Sequence, residues 1–280
     1  MKKHITTILL ILVLLIGMSL ILYPSISNWW NETRSSKVIS DYTELVAELD
    51  DDEYDRMWSE AVAYNAGRAD AVNPYLLSPE QKQMYHSVLN LGGNGVMGYI
   101  EIPSIGVSLP IYHTVNEDIL QVAAGHLEWS DLPVGGEGTH CVLSGHRGLP
   151  SAKLFTDLDE LKVGDVFMLR ILDNLLTYEV DQILIVEPDD TKDLRREEGH
   201  DLCTLVTCTP YGVNTHRLLV RGHRIENTPE TTVIRVTANA VQMDSMVVAL
   251  IVAVPMILVA MMILMVGSGR RNKRKYRRGT

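Results

Sequence analysis

Two short segments of this chain put reactive side chains at the ends of strand-like runs. The first is Thr204-Leu205-Val206-Thr207-Cys208-Thr209-Pro210-Tyr211-Gly212, continuing through Val213-Asn214-Thr215-His216-Arg217. A β-rich run delivers a cysteine to its end, a proline and a glycine open a loop, and the next run begins with an arginine. Strand ends beside loops let a side chain meet substrate while the backbone behind it stays rigid. The thiolate is the nucleophilic form of cysteine, and a nearby cation favours it. Arg217 supplies such a cation, and its donor fork suits an oxyanion or a substrate carbonyl. The second segment is Leu143-Ser144-Gly145-His146-Arg147-Gly148. A histidine held between glycines can protonate a leaving amine and then deprotonate an incoming nucleophile. Cysteine and histidine on separate segments outline a cysteine enzyme. Spacing alone is a weak signal, because many proteins contain one of each.

Other residues compete for these roles. Cys141 and Cys203 fit small buried apolar side chains. Cys203 lies five residues before Cys208, so strand alternation sends the two to opposite faces. His113, His126, His140 and His216 read as supporting or surface residues. Arg147 and Arg221 flank the motifs without occupying the place of Arg217. Thr207 either shapes the site or serves as an ordinary β-branched strand residue. Cys208, His146 and His140 are types that zinc accepts, but no paired spacing supports a metal site, and no cofactor is expected.

These segments need a scaffold, and the chain supplies one outside a membrane. It has 280 residues, with Ile5–Tyr23 and Met246–Val266 free of charge over 19 and 21 residues. Each is long enough to cross a bilayer as a helix, at roughly 20 residues per span. Nine of the 25 basic residues lie beyond these segments, leaving 16 between them against all 35 acids, or about −19. The positive-inside rule then places both ends in the cytoplasm and the acidic middle outside. An acidic ectodomain argues against nucleic acid as a partner. The first apolar segment fits a cleaved signal peptide as well as an anchor; its length and the lack of an Ala-x-Ala site favour the anchor. Three cysteines are too few and too odd in number for a disulfide framework.

Between the spans the periodicity divides in two. Val38, Tyr42, Leu45, Val46 and Leu49, then Met57, Trp58, Ala61 and Val62, predict helix over 37–68. The acidic run Asp50–Glu53 interrupts it as a solvated face or a helix junction. Asn73-Pro74-Tyr75 marks a break, and Ser78 with Glu80 and Gln81 starts a second short helix to about Leu89. Gly92-Gly93-Asn94-Gly95 reads as a flexible joint. Strand-like runs follow at 97–102, 108–112, 140–144, 166–171, 175–187, 202–207 and 218–225, with a short helix over 153–161 and a loop with a helical turn over 189–198. Many short strands with Gly and Pro turns predict an all-β barrel or sandwich.

With these segments in view, the chain resembles the sortase family. Thr204-Leu-Val-Thr-Cys208 is similar to the family's cysteine signature, Leu143-Ser-Gly-His146-Arg-Gly to its histidine segment, and Asn214-Thr-His-Arg217-Leu-Leu-Val-Arg-Gly222 to its arginine segment. The likeness runs from about Gly95 to Arg224 and takes in Gly98-Tyr-Ile-Glu-Ile-Pro103 and Leu132-Pro-Val-Gly-Gly136. A helical N-terminal extension and a C-terminal apolar segment make it look most like class C, the pilus-assembling sortases. The resemblance implies a mainly β fold, an eight-stranded sortase barrel with short helices, flanked by two membrane segments. It implies Cys208 as nucleophile, His146 as acid/base and Arg217 as oxyanion stabiliser. Expected substrates are surface proteins or pilins with a sorting signal of the Leu-Pro-x-Thr-Gly kind. A thioester would be resolved by a pilin lysine amine or, alternatively, a cell-wall peptide amine. A non-catalytic membrane-tethered scaffold is the reading from another class.

The expected division is a membrane segment at 1–26, a helical extension at 27–94, a catalytic barrel at 95–230, a linker at 231–245, a second span at 246–266 and a basic cytoplasmic tail at 267–280. Class C sortases commonly carry an Asp-Pro-aromatic lid over the cysteine. Here Asn73-Pro74-Tyr75 keeps the proline and the aromatic but has an amide in place of the carboxylate, which implies a lid held more loosely; an ordinary Asn-Pro turn is the other reading.

Overall fold

The computed structural model describes residues 2–68 and 75–228. The second apolar segment, the linker before it, the basic tail, and Asn73 and Pro74 all lie outside the described residues. The described residues from Ile26 onward form one compact unit. The first helix, α1, covers Lys2–Ala47 and contains Pro24. Its early stretch bears exposed Leu12, Val13, Leu15, Ile16, Leu20 and Ile21. Among the described residues α1 alone is long and apolar enough to cross a membrane.

The acidic run expected as a face or a junction is a helix junction. Asp50 caps helix α2 (Asp51–Gly67), its carboxylate accepting from the Glu53 amide at 2.8 Å. Asp51, Asp52 and Glu53 fill the first turn, where the helix dipole favours negative charge. Helix α3 (Pro79–Ser87) begins with a capping box: Ser78 accepts from the Gln81 amide, and Gln81 returns the bond to the Ser78 backbone.

Eight strands follow: β1 (Val96–Ile102), β2 (Val107–Tyr112), β3 (Ala124–His126), β4 (Thr139–Ser144), β5 (Val166–Ile171), β6 (Asn174–Val186), β7 (Asp201–Thr209) and β8 (His216–Ile225). A four-residue helix, α4 (Glu117–Leu120), precedes β3. The strands close into a barrel in the order β1-β2-β3-β4-β7-β8-β6-β5. The β2–β3 and β4–β7 pairs are parallel and the other pairs antiparallel. Closure gives every strand two neighbours, although β3 pairs with only two residues of β2 and two of β4.

The barrel interior holds Ile100, Ile111, Leu143, Leu169, Leu205 and Val220, and the same core continues into Met57, Ala61, Tyr64, Tyr85 and Leu89 of the helical extension. Strand β1 is buried along its whole length because both faces are covered. Met97, Ile100 and Ile102 belong to the main core, while Val96 and Tyr99 pack under Tyr42 of α1. A bulge at Val96/Gly98 breaks the alternation and lets β1 serve both layers.

One expectation is corrected. The short helix over 153–161 is absent; that stretch holds turns and a single 3-10 turn at Leu158–Glu160. Its backbone donors go elsewhere: Lys153 N–H to Asn28 Oδ1 at 2.7 Å and Phe155 N–H to the His146 carbonyl at 3.1 Å. Leu154 also takes a positive φ of 44°. Strand β3 carried no sequence signal, because three residues are too few to display a period.

Candidate active site

Cys208 lies one residue from the end of β7 and directly opposite Arg217, the second residue of β8, in the antiparallel register. Cross-strand neighbours on one face bring Cβ atoms to about 4.5–5.5 Å, so register alone roots the two side chains side by side on one face. Alternation puts Val206 and Cys208 on one face and Leu205 and Thr207 on the other. Leu205 belongs to the interior core, and Val206 packs in an outer cluster with Val142, Leu194 and Leu219. Leu127, Trp129, Leu184 and Val186 complete that cluster. An apolar strip thus leads along the outer wall to the half-buried Cys208.

His146 reaches this corner through the parallel pairing of β4 with β7, where Ser144 is level with Val206. Beyond the last pair, the Gly145 amide donates to the Val206 carbonyl at 3.1 Å. Thr207 Oγ1 donates to the Gly145 carbonyl at 2.8 Å. The segment leaving β4 is therefore clamped to the residue before Cys208. Gly145 is required here: a Cβ would meet the Phe155 ring at 2.6 Å. Thr207 is buried and acts as this clamp, which gives its hydroxyl a defined task.

The reactive ends of His146 and Arg217 make few contacts. His146 Nε2 is buried without a hydrogen-bond partner. Its nearest carboxylate is Glu117, with Oε2 at 3.6 Å, beyond hydrogen-bond length. Arg217 donates only to the backbone carbonyls of Asn214 and His216, at 3.4 and 3.1 Å, and makes no ion pair among the described residues. The flanking arginines hold ion pairs, although Arg147 Nε is buried without a partner. Arg147 pairs with Asp159 and reaches Thr209 Oγ1 at 3.4 Å. Arg221 pairs with Asp181 at 3.0 Å and Glu197 at 2.6 Å.

The remaining candidates sort by burial. Cys141 and Cys203 are register partners on β4 and β7, both inside the core. Burial pushes the Cys141 thiol well up, and its contact with Cys203 adds to the shift. His140 is tied to the Arg195 carbonyl and to Thr204 Oγ1, both at 2.7 Å. His126 and His113 sit in the junction between barrel and helices, and burial lowers the pKa of both. His216 is exposed and bonds to Thr215 Oγ1 at 2.9 Å. Of the segment read as a lid, Tyr75 is described. Its hydroxyl lies 2.8 Å from Thr191 Oγ1, and its ring sits edge-on to Trp129 at 5.0 Å. It rests on the apolar strip. Sequence reading missed Trp129, Leu127 and Glu117, which reach the site from connections between β2 and β4. Their only local signal, the Asn116-Glu117 helix start, says nothing about which distant histidine it will face.

Comparison with known proteins follows the same outline. A sortase domain model matches residues 100–225. The crystal structure of sortase C1 from Streptococcus agalactiae is 49% identical, with a TM-score of 0.67, over 69% of this chain and 100% of that one. Sortase C of Streptococcus pneumoniae is 44% identical, with a TM-score of 0.60, over 69% and 98% of the two chains. Sortase D of Bacillus subtilis (strain 168) is 33% identical over 131 residues, 46% of this chain and 63% of that protein. The chain thus spans less than two thirds of that curated relative.

Proposed function

The chain belongs to the sortase family, with solved class C sortases among its similar structures, and from that premise we propose that it is a membrane-anchored cysteine transpeptidase that joins pilin subunits. Cys208 attacks the carbonyl of a Leu-Pro-x-Thr-Gly-like signal, and the oxyanion that forms is held by the Arg217 fork. His146 protonates the departing amine, leaving a thioester between the substrate threonine and Cys208. A lysine amine of another subunit then attacks the thioester, and His146 takes up a proton from it. The observation that carries this reading is that the reactive ends of His146 and Arg217 make few contacts at the barrel corner that bears Cys208. The strip from Trp129 and Val186 to Cys208 suits the apolar leucine and proline of such a signal.

The membrane anchor is α1, with the second span and the basic tail holding the other end in the cytoplasm. Tyr75 acts as part of a cover resting on Trp129 and Thr191. The test is intact mass spectrometry of the full-length protein in detergent, mixed with a Leu-Pro-x-Thr-Gly peptide. We expect an acyl adduct on the wild type and on Cys203→Ala, and none on Cys208→Ala. An adduct that persists in Cys208→Ala overturns the assignment. No adduct on the wild type, even with Tyr75→Ala to loosen the cover, moves the reading to a non-catalytic scaffold.

A further inference from the structure

A carboxylate faces the imidazole of His146. Glu117 opens α4, and its side chain is 75% exposed, yet Oε2 lies 3.6 Å from the buried Nε2 of His146. The other oxygen, Oε1, accepts from Gln121 Nε2 at 3.3 Å, which restrains the carboxylate in this orientation. The placement is built into the fold. Strand β3 pairs with the end of β4, Gly125 level with Ser144, so the segment before β3 hangs beside the segment that carries His146. Gly125 permits the close crossing: a Cβ there would meet the Thr114 carbonyl oxygen at 2.3 Å and the Val115 Cα at 3.1 Å. Thr114 and Val115 lead directly into α4.

An exposed carboxylate gains little from facing a histidine across 3.6 Å of partly solvated space. The contact nevertheless places an anion at the mouth of the site, beside the general base. Resting on the transpeptidase reading above, we propose that Glu117 is the docking group for the acceptor, a primary alkylammonium such as a lysine side chain. The ammonium binds the carboxylate, releases one proton to solvent and attacks the thioester carbon as the neutral amine. The C–N bond forms as the C–Sγ bond breaks. His146 takes the second amine proton, and Cys208 leaves as the thiolate. The imidazolium and the thiolate balance the charge, and no further reactant is consumed. Water and neutral nucleophiles carry no charge for Glu117 to recognise.

The experiment compares nucleophiles on the full-length protein in detergent. Acyl-enzyme formation on Cys208 is measured first by intact mass, so that loss of the transpeptidase reading is separated from loss of this one. The thioester is then resolved with Nα-acetyl-lysine amide, an ammonium at neutral pH, and with hydroxylamine, which is neutral there. Glu117→Gln should raise KM for the lysine derivative by about 3- to 5-fold, the weight of one exposed ion pair, and by clearly less for hydroxylamine. Glu117→Asp should recover part of the loss. Equal losses for both nucleophiles would show that Glu117 orients His146 instead, and the absence of any loss would show an unrelated surface acid; either result overturns the proposal.

Discussion

The polar groups at the junction between helices and barrel contrast with those at the corner bearing Cys208. At the junction the buried polar groups find partners. Asn65 exchanges two hydrogen bonds with the Leu132 backbone, at 3.0 and 2.8 Å. Asp131, whose side chain is 2% exposed, receives both Arg196 and the His140 amide. Tyr85 bonds to the His113 carbonyl and to His126 Nδ1. At the corner, His146 Nε2 has no hydrogen bond and Arg217 reaches only backbone. A buried polar group left unbonded costs about 1–3 kcal/mol. Among the described residues His146 Nε2 and Arg147 Nε at the corner and Arg170 Nη2 on β5 bear that cost, while the junction groups named above avoid it.

The contrast is broken most directly at Asp131. Asp131→Ala leaves Arg196 and the His140 amide without their acceptor. Removing one partner of a buried ion pair costs about 3–5 kcal/mol, and the partial exposure of Arg196 places this one near the lower end. Urea denaturation should show a loss of about 3 kcal/mol. Arg217→Lys, by comparison, should leave the urea midpoint nearly in place while slowing acylation, because an ammonium cannot supply the planar fork. A large stability loss from Arg217→Lys would erase the distinction between the two regions.

A second measurement uses pH. His126 is fully buried, and desolvation lowers its pKa from 6.5 to about 3. The folded state therefore holds the neutral ring, while the unfolded chain takes up a proton below its ordinary value. The stabilisation is complete above about pH 6.5 and is lost as pH falls from there towards 3. At pH 5 the loss is about 2 kcal/mol, from 1.5 units at 1.36 kcal/mol each. Stability of the wild type should fall over this interval, with His113 and His140, lowered in the same direction, steepening the fall. His126→Gln should show a shallower slope below pH 6.5, even if it is less stable at neutral pH. An unchanged slope would remove His126 from the account.

Much of this arrangement was legible in the sequence because it is written in local order. Cys208 and Arg217 are separated by one loop, so their pairing follows from two strands and a turn. The 13 residues of β6 and the capping box at Ser78 likewise carry their own periods and partners. Other features depend on contacts distant in sequence. Strand β3 exists because β2 and β4 flank it, and residues 153–157 lose their helix to acceptors at Asn28 and His146. Trp129 and Glu117 gain their places only when the barrel closes. No pattern of neighbours along the chain encodes such meetings.

The smallest expected effect tests where the junction ends and the corner begins. Tyr75 belongs to neither by burial: it is half-exposed, yet its hydroxyl meets Thr191 and its ring meets Trp129 on the strip leading to Cys208. If it helps to cover that strip, part of its contact energy must be given up before a substrate can lie there. An edge-on aromatic pair contributes about 0.5–1.5 kcal/mol beyond area burial, equivalent to roughly a 2- to 10-fold change in an opening equilibrium. Tyr75→Ala should accordingly speed modification of Cys208 by a bulky thiol reagent by about that factor, with little change for a reagent small enough to reach the thiol without the strip. Tyr75→Phe keeps the ring contact and loses the Thr191 bond, so it should fall between the two. A labelling rate insensitive to all three side chains would make Tyr75 a surface residue of the extension, and would leave the looser hold expected from Asn73 without a cover to act on.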